Sequence, residues 1–440
     1  MEQRVYNLKD FGAALDGTTD DTAALQAACT AINRNRGGRL IIADRCKVVG
    51  VVGSSLVTFL RCNGVSIECI GDALIQDVQT YTGDQTAELF TFTACNNVDV
   101  KLRVSSQIAV TTSTANNRGL YAVVLRQGCR GVNVDLDLAG CRGGLRPTKA
   151  HDDPASYKST SIRGRIRARG TLYPYVSQFG ADDVTLELFV DVCGRNFFLY
   201  GSDAHRLTVH SKNQQSTSLI EAFNGHGCSD VDVRITDLES DDCNSAAAVV
   251  SIEWGDATVA THRNIRLNMN TKSPSVNPWG KTVEFSKASD GGGALSPDRI
   301  GRGHVLDGFE LTGRIEGNTG NNNMAMAVGA FAAPDVFRRW RVHDLTSLIG
   351  VLNCPLQTLG DIALFENVYS NSAIFTSNKT NGLVRFIRCT ATEYTATMDN
   401  IDRHEYIASD ITSGTNQNYS NNKRLIDTVV PNAQRRARPR

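Results

Sequence analysis

From Val98 the chain reads Val-Asp-Val-Lys-Leu-Arg-Val, and from Val132 it reads Val-Asn-Val-Asp-Leu-Asp-Leu. Alternation with period two marks a strand that buries one face. These runs follow turns of one form: Cys62-Asn63-Gly64-Val65, Cys95-Asn96-Asn97-Val98, Cys129-Arg130-Gly131-Val132 and Cys228-Ser229-Asp230-Val231. Ala181-Asp182-Asp183-Val184, Ala204-His205-Arg206-Leu207 and His262-Arg263-Asn264-Ile265 continue the series without the cysteine. A second strand precedes each turn, as in Leu120–Val124, Phe197–Tyr200, Leu219–Phe223, Val249–Trp254, Thr282–Phe285, Met324–Val328 and Ala373–Phe375. Two or three strands per coil, repeated roughly a dozen times with Asn, Gly, Asp and Ser in the turns, predict an all-β parallel β-helix, a solenoid.

The pattern changes period only near the N-terminus. Residues 18–37 are predicted as a helix, with Thr18, Thr19, Asp20 and Asp21 as capping oxygens, an Ala23, Ala24, Ala27, Ala28 and Ile32 stripe, and Gly37-Gly38 as the stop. Such a helix would close the open end of the coil and shield its strand edges. The expected organisation is a cap over 1–50, the β-helix over 51–400, and a C-terminal segment over 401–440 ending in the basic run Gln434–Arg440.

Composition removes several function classes. Lys+Arg and Asp+Glu are both 46 of 440 residues, so no global field points to nucleic acid. No apolar run is long enough to insert in a membrane, and Met1–Val5 lacks a signal-peptide pattern. The twelve cysteines contain no Cys-x-x-Cys pair and no metal-ligand spacing with histidine. Four of them share one repeat position, which predicts small buried fillers kept reduced in a cytoplasm. No P-loop, HExxH or Ser/His/Asp pattern is present, and no cofactor or metal is expected.

The stretch Asp10-Phe11-Gly12-Ala13, followed by Asp16-Gly17-Thr18-Thr19-Asp20-Asp21-Thr22-Ala23-Ala24-Leu25-Gln26-Ala27-Ala28, resembles the opening of pectate-lyase-like right-handed β-helix proteins. Many bacteriophage tailspikes and capsule depolymerases are of this kind. The family's Pro-x-Gly-x-Tyr turn is replaced here by Ala43-Asp44-Arg45-Cys46-Lys47-Val48. The resemblance implies a right-handed coil, a homotrimer, a cell-surface polysaccharide ligand such as capsule or lipopolysaccharide, and a place on a virion among other particle proteins. Such a protein is made in the host cytoplasm and released by lysis.

Candidate chemistry comes from aligning the second strands. Ile220-Glu221-Ala222, Ile252-Glu253-Trp254 and Val283-Glu284-Phe285 put Glu221, Glu253 and Glu284 at one point of successive coils, pointing outward. Strand spacing would set neighbours roughly 5 Å apart and the outer pair roughly 10 Å, near the separations used by retaining and inverting glycosidases. Two other readings stay open: a solvated acidic ladder, or a sugar-gripping surface without catalysis. A lyase would instead need a basic proton abstractor. Candidate binding residues around the ladder are Trp279 in the Ser273–Gly280 loop, Asp241 and Asp242 at a strand end, and Tyr200, which with Tyr173 and Tyr175 forms either an aromatic platform or a core stack.

Overall fold

The computed structural model describes residues 3–107, 118–149, 157–222, 225–239, 248–254, 258–273, 281–287, 303–317, 324–328, 336–348, 351–355, 359–377, 380–396, 401–407, 409–411 and 423–426. The chain divides into two compact units, Met1–Ser216 and Thr217–Arg440. Each unit is built of parallel strand ladders, as the period-two pattern requires.

In the first unit, long strands alternate with short ones. The long ladder runs through Asn63–Cys69, Asn96–Ser105, Arg130–Ala139, Ser159–Arg169, Ala181–Asp191 and Asp203–Lys212. Its register is continuous: Val65 lies beside Val98, Val98 beside Val132, Val132 beside Ile162, and Ile162 beside Val184. The short ladder runs through Gly119–Arg126, Gly143–Thr148, Tyr173–Gln178 and Phe197–Tyr200. Residues of one parity face the interior, where Phe59, Phe90, Phe92, Val100, Leu136 and Leu186 are all buried.

The turn motif has a backbone cause. The residue before each inward Val or Ile has positive φ: Gly64 71°, Asn97 53°, Gly131 65°, Ser161 56°, Asp183 55°, Asp230 55° and Asn264 50°. A left-handed residue costs little for Gly and least among the rest for Asn and Asp, which is why these types crowd that position. Asn97 donates to Asn63 Oδ1 at 2.8 Å, and Asn264 to Asp230 Oδ1 at 2.7 Å, so the turns also bond along the stack. One sequence alignment is corrected. Val184 pairs with His205, so Ser202, not Ala204, takes the cysteine's place, and Ala204 is the left-handed residue at 52°.

The cysteines are buried, free thiols among the described residues. Cys95 Sγ donates to the carbonyls of Phe59 and Thr93, and Cys129 Sγ to those of Phe92 and Arg126. A second column, not anticipated, closes the far end of the long strands: Cys141 and Cys193, each bonded to carbonyls of its own and the preceding coil. Burial pushes both of these thiols up to about 12, so they stay protonated and inert near neutral pH.

The N-terminal helix is shorter than expected, Thr22–Arg34. Asp16–Asp20 is a strand instead. Asp21 precedes the helix but does not cap it, because its carboxylate accepts from Ala14 N at 2.8 Å and Leu15 N at 3.2 Å. Ala24, Leu25, Ala28, Cys29 and Ile32 form its buried stripe.

In the second unit the short ladder contains Ser218–Ala222, Ala248–Trp254, Lys281–Lys287 and Met324–Val328. The long ladder contains Ser229–Glu239, Thr261–Ser273, Val305–Gly317 and Val336–Ser347. Parallel pairing continues past residue 400, with Ile401–Ile407 beside Lys423–Ile426. The basic run Gln434–Arg440 lies outside the described residues.

Candidate functional site

The short-strand ladder of the second unit carries the glutamates. Ile220 pairs with Ile252 and both are buried, so Glu221 and Glu253 occupy the opposite parity and pair directly with each other. This neighbour relation is the one expected. Glu284 is different: it pairs with Ser251, while Ser286 stands beside Glu253. The third glutamate is therefore displaced by two residues along the strand, on the same face but not in the column. Apolar matching sets this register, since Val250 meets Val283 and Ile252 meets Phe285, all buried.

Glu221 is 6% exposed, whereas Glu253 and Glu284 are half-buried. Behind the pair is a buried, hydrogen-bonded histidine. His262 is fully buried; its Nε2 contacts the Glu253 carbonyl at 3.0 Å, and its Nδ1 accepts from Cys228 N at 3.0 Å. The accepting Nδ1 fixes Nε2 as the protonated nitrogen. Burial lowers the His262 pKa to about 4, so the ring is neutral near pH 7. Trp254 packs edge-on against it, with centroids 4.7 Å apart. Trp279, Asp241 and Asp242 lie outside the described residues.

Tyr175 and Tyr200 fall on opposite faces. Tyr175 is a core residue, 0% exposed, with its hydroxyl 2.8 Å from His205 Nε2. Tyr200 faces outward beside Phe198, with ring centroids 4.1 Å apart, while Phe197 and Leu199 between them point into the core. Leu172, Tyr173 and Val176 form an apolar patch with Phe198 packed against it. Sequence reasoning found the three tyrosines but missed the arginines among them. Arg142 and Arg146 lie over the Tyr121 ring at 5.2 and 4.8 Å, and Arg195 over Phe198 at 5.1 Å.

The long-strand face of the first unit carries a second feature missed from sequence. Register places Glu68, Lys101, Asp135, Arg165 and Glu187 in one outward column of alternating sign. Arg165 makes a bidentate pair with Asp135 at 2.9 and 2.8 Å, and Arg167 adds a contact at 3.1 Å. The Arg165 guanidinium in turn holds the Asp135 carboxyl below its ordinary range. A shallow groove of about 380 Å³ runs between Lys101, Arg103, Asp135, Asp137, Arg165 and Arg167. Its four cations outnumber its two carboxylates, and Glu68 and Asp72 beside it pair with Lys101 and Arg103.

No family model matches the chain, and no curated protein sequence matches it. Among solved structures, it is similar to the mannuronan C-5 epimerase A-module of Azotobacter vinelandii, at 12% identity and TM-score 0.45, covering 96% of this chain and 99% of that one. It is also similar to the family 28 exopolygalacturonase of Yersinia enterocolitica, at 12% identity, TM-score 0.40, and 96% and 78% coverage. A third is the tailspike of Escherichia coli bacteriophage HK620 in complex with a hexasaccharide, at 11% identity, TM-score 0.44, and 96% and 78% coverage. It is the chain's own ladders, parallel and in register from coil to coil, that identify it as a parallel β-helix protein.

Proposed function

We propose that this chain is a spike or fibre protein of a phage-like particle that recognises a cell-surface polysaccharide and cleaves it by hydrolysis. The observation that carries the reading is the direct pairing of Glu221 with Glu253 on adjacent short strands. Strands about 4.8 Å apart bring such carboxyls near the separation of a retaining glycosidase. In that arrangement Glu221, the more buried acid, protonates the leaving oxygen as Glu253 attacks the anomeric carbon. Water deprotonated by Glu221 then breaks the bond to Glu253 and releases the sugar. Glu284 lies off the column and serves the sugar rather than the reaction. Assembly as a homotrimer with other particle proteins belongs to the same proposal.

Incubation with host capsule or lipopolysaccharide, followed by assay of reducing ends, tests it. Glu221→Gln and Glu253→Gln should each lower the rate at least about 100-fold, with Glu284→Gln far milder. Undiminished release by both variants would overturn the assignment. A product absorbing as an unsaturated uronate would identify a lyase instead.

A second reading, glycan binding without cleavage, is favoured by the 6% exposure of Glu221. It predicts retained binding and no new reducing ends.

A further inference from the structure

Five of the seven arginines on the first unit's long strands are matched by acids, while Arg130 and Arg206 make no ion pair among the described residues. Arg103 contacts Asp72, Arg163 contacts Asp183, Arg165 and Arg167 share Asp135, and Arg169 faces Asp191. On the short strands Arg126 is likewise paired, with Glu88 at 2.6 Å. The next coils break this rule. Arg142, Arg146 and Arg195 pair with no carboxylate among the described residues, and all lie on one outer face over aromatic rings.

Their existing bonds leave donors over. Arg142 Nε donates to the Tyr121 hydroxyl at 2.9 Å, but its Nη1 is buried with no partner. Arg146 donates to Gln178 Oε1 from Nε and Nη2, at 3.1 and 2.7 Å. Arg195 Nε is buried without a partner as well. The Leu172–Tyr173 peptide links Arg142 and Arg195: Tyr173 N donates to Arg142 O at 2.8 Å, and Arg195 N donates to Leu172 O at 2.8 Å. Arg142 Nη1 and Arg195 Nε are sealed from solvent, so the donors an outside anion can meet are the terminal nitrogens that no hydrogen bond occupies, Arg146 Nη1 among them. Phe198 and Tyr200 beside these donors offer apolar ring surface for the C–H face of a sugar.

We propose that this face is a binding subsite for an anionic sugar, in which Arg142, Arg146 and Arg195 take the carboxylate or sulfate and Phe198 and Tyr200 take the ring. The proposal deepens the polysaccharide reading by naming the ligand as acidic, and it rests on that reading. Guanidinium forks match planar oxyanions bidentately, and stacking on the aromatic rings holds them in place.

The test uses the full chain and titration calorimetry with tetragalacturonate, its methyl ester, and a sulfated galactan tetrasaccharide. Binding of the acid at least tenfold tighter than of its ester supports the site, and preference between the carboxylated and sulfated probes identifies the anion. Arg195→Gln and Arg146→Gln should each weaken binding about tenfold or more, Arg195→Lys less, and Tyr200→Ala several-fold. Arg146 is half-buried, so its variant serves if Arg195→Gln does not fold. Equal affinity for ester and acid, or no binding of either acidic probe, overturns the proposal. Reducing-end release by the Glu221 and Glu253 variants is read separately, so the hydrolase assignment and this subsite can fail independently.

Discussion

Two outer faces of the same coils treat arginine in opposite ways. On the long strands Arg163, Arg165, Arg167 and Arg169 each meet an acid, and the column from Glu68 to Glu187 alternates in sign. On the short strands and the turns leading into them, Arg142, Arg146 and Arg195 meet rings instead. Charge density alone would rank the long-strand face as the more interesting one, and it also has the groove. Partner identity reverses the ranking. A lattice of mutual ion pairs satisfies itself, whereas guanidiniums with donors to spare need something from outside.

The largest expected effect tests the interior beneath the short-strand face. His205 is fully buried under Tyr175, and burial lowers its pKa to about 4, as it does for His262 in the second unit. The unfolded chain, with histidines near 6.5, binds more protons between pH 6.5 and 4. Stability present above that window is therefore lost as pH falls through it, by about 3 kcal/mol per histidine at the limit. Thermal midpoints measured across this range should decline, and His205→Asn should flatten the decline in the first unit.

Next in size is Tyr175→Phe, which leaves His205 Nε2 without its 2.8 Å partner. A loss of about 1–3 kcal/mol is expected, read by denaturant midpoint, and an unchanged midpoint would remove this bond from the account.

The sharpest test of the contrast is a charge swap on each face. Asp135→Lys puts a third cation between Lys101 and Arg165. Asp135 is partly exposed, so solvent screening holds the cost to about 1 kcal/mol, less in high salt. Arg146→Glu should leave the midpoint nearly unchanged while abolishing acidic-sugar binding. If the two variants trade outcomes, the assignment of roles to the faces is reversed.

The fold was readable because the left-handed turn residue, the inward Val and the alternating strand recur together, and each has its own cause. Gly131, Asn97 and Asp183 satisfy one backbone requirement that sequence displays directly. The site was only half readable. Glu221 and Glu253 align because identical inward isoleucines flank them. Glu284 misleads because a two-residue slip keeps every side chain on its own face, so parity cannot detect it. Side-chain orientation decides Tyr175 against Tyr200. The arginines were invisible for another reason: whether Arg165 or Arg146 has an acid beside it depends on strands about one coil away, and no local pattern records that.

The left-handed turns also make length a modular property. Ala94 stands directly before Cys95 and Gln127 two residues before Cys129, with φ of 53° each, and Asn97 and Gly131 follow in the same conformation. A chain cut before one such cysteine and rejoined before the next would keep its handed turn, its thiol and its strand register, because each coil bonds chiefly to its immediate neighbours. Loss or duplication of a whole coil is thus a small mutational step for this architecture, and it would move the arginine face bodily along the stack without altering it.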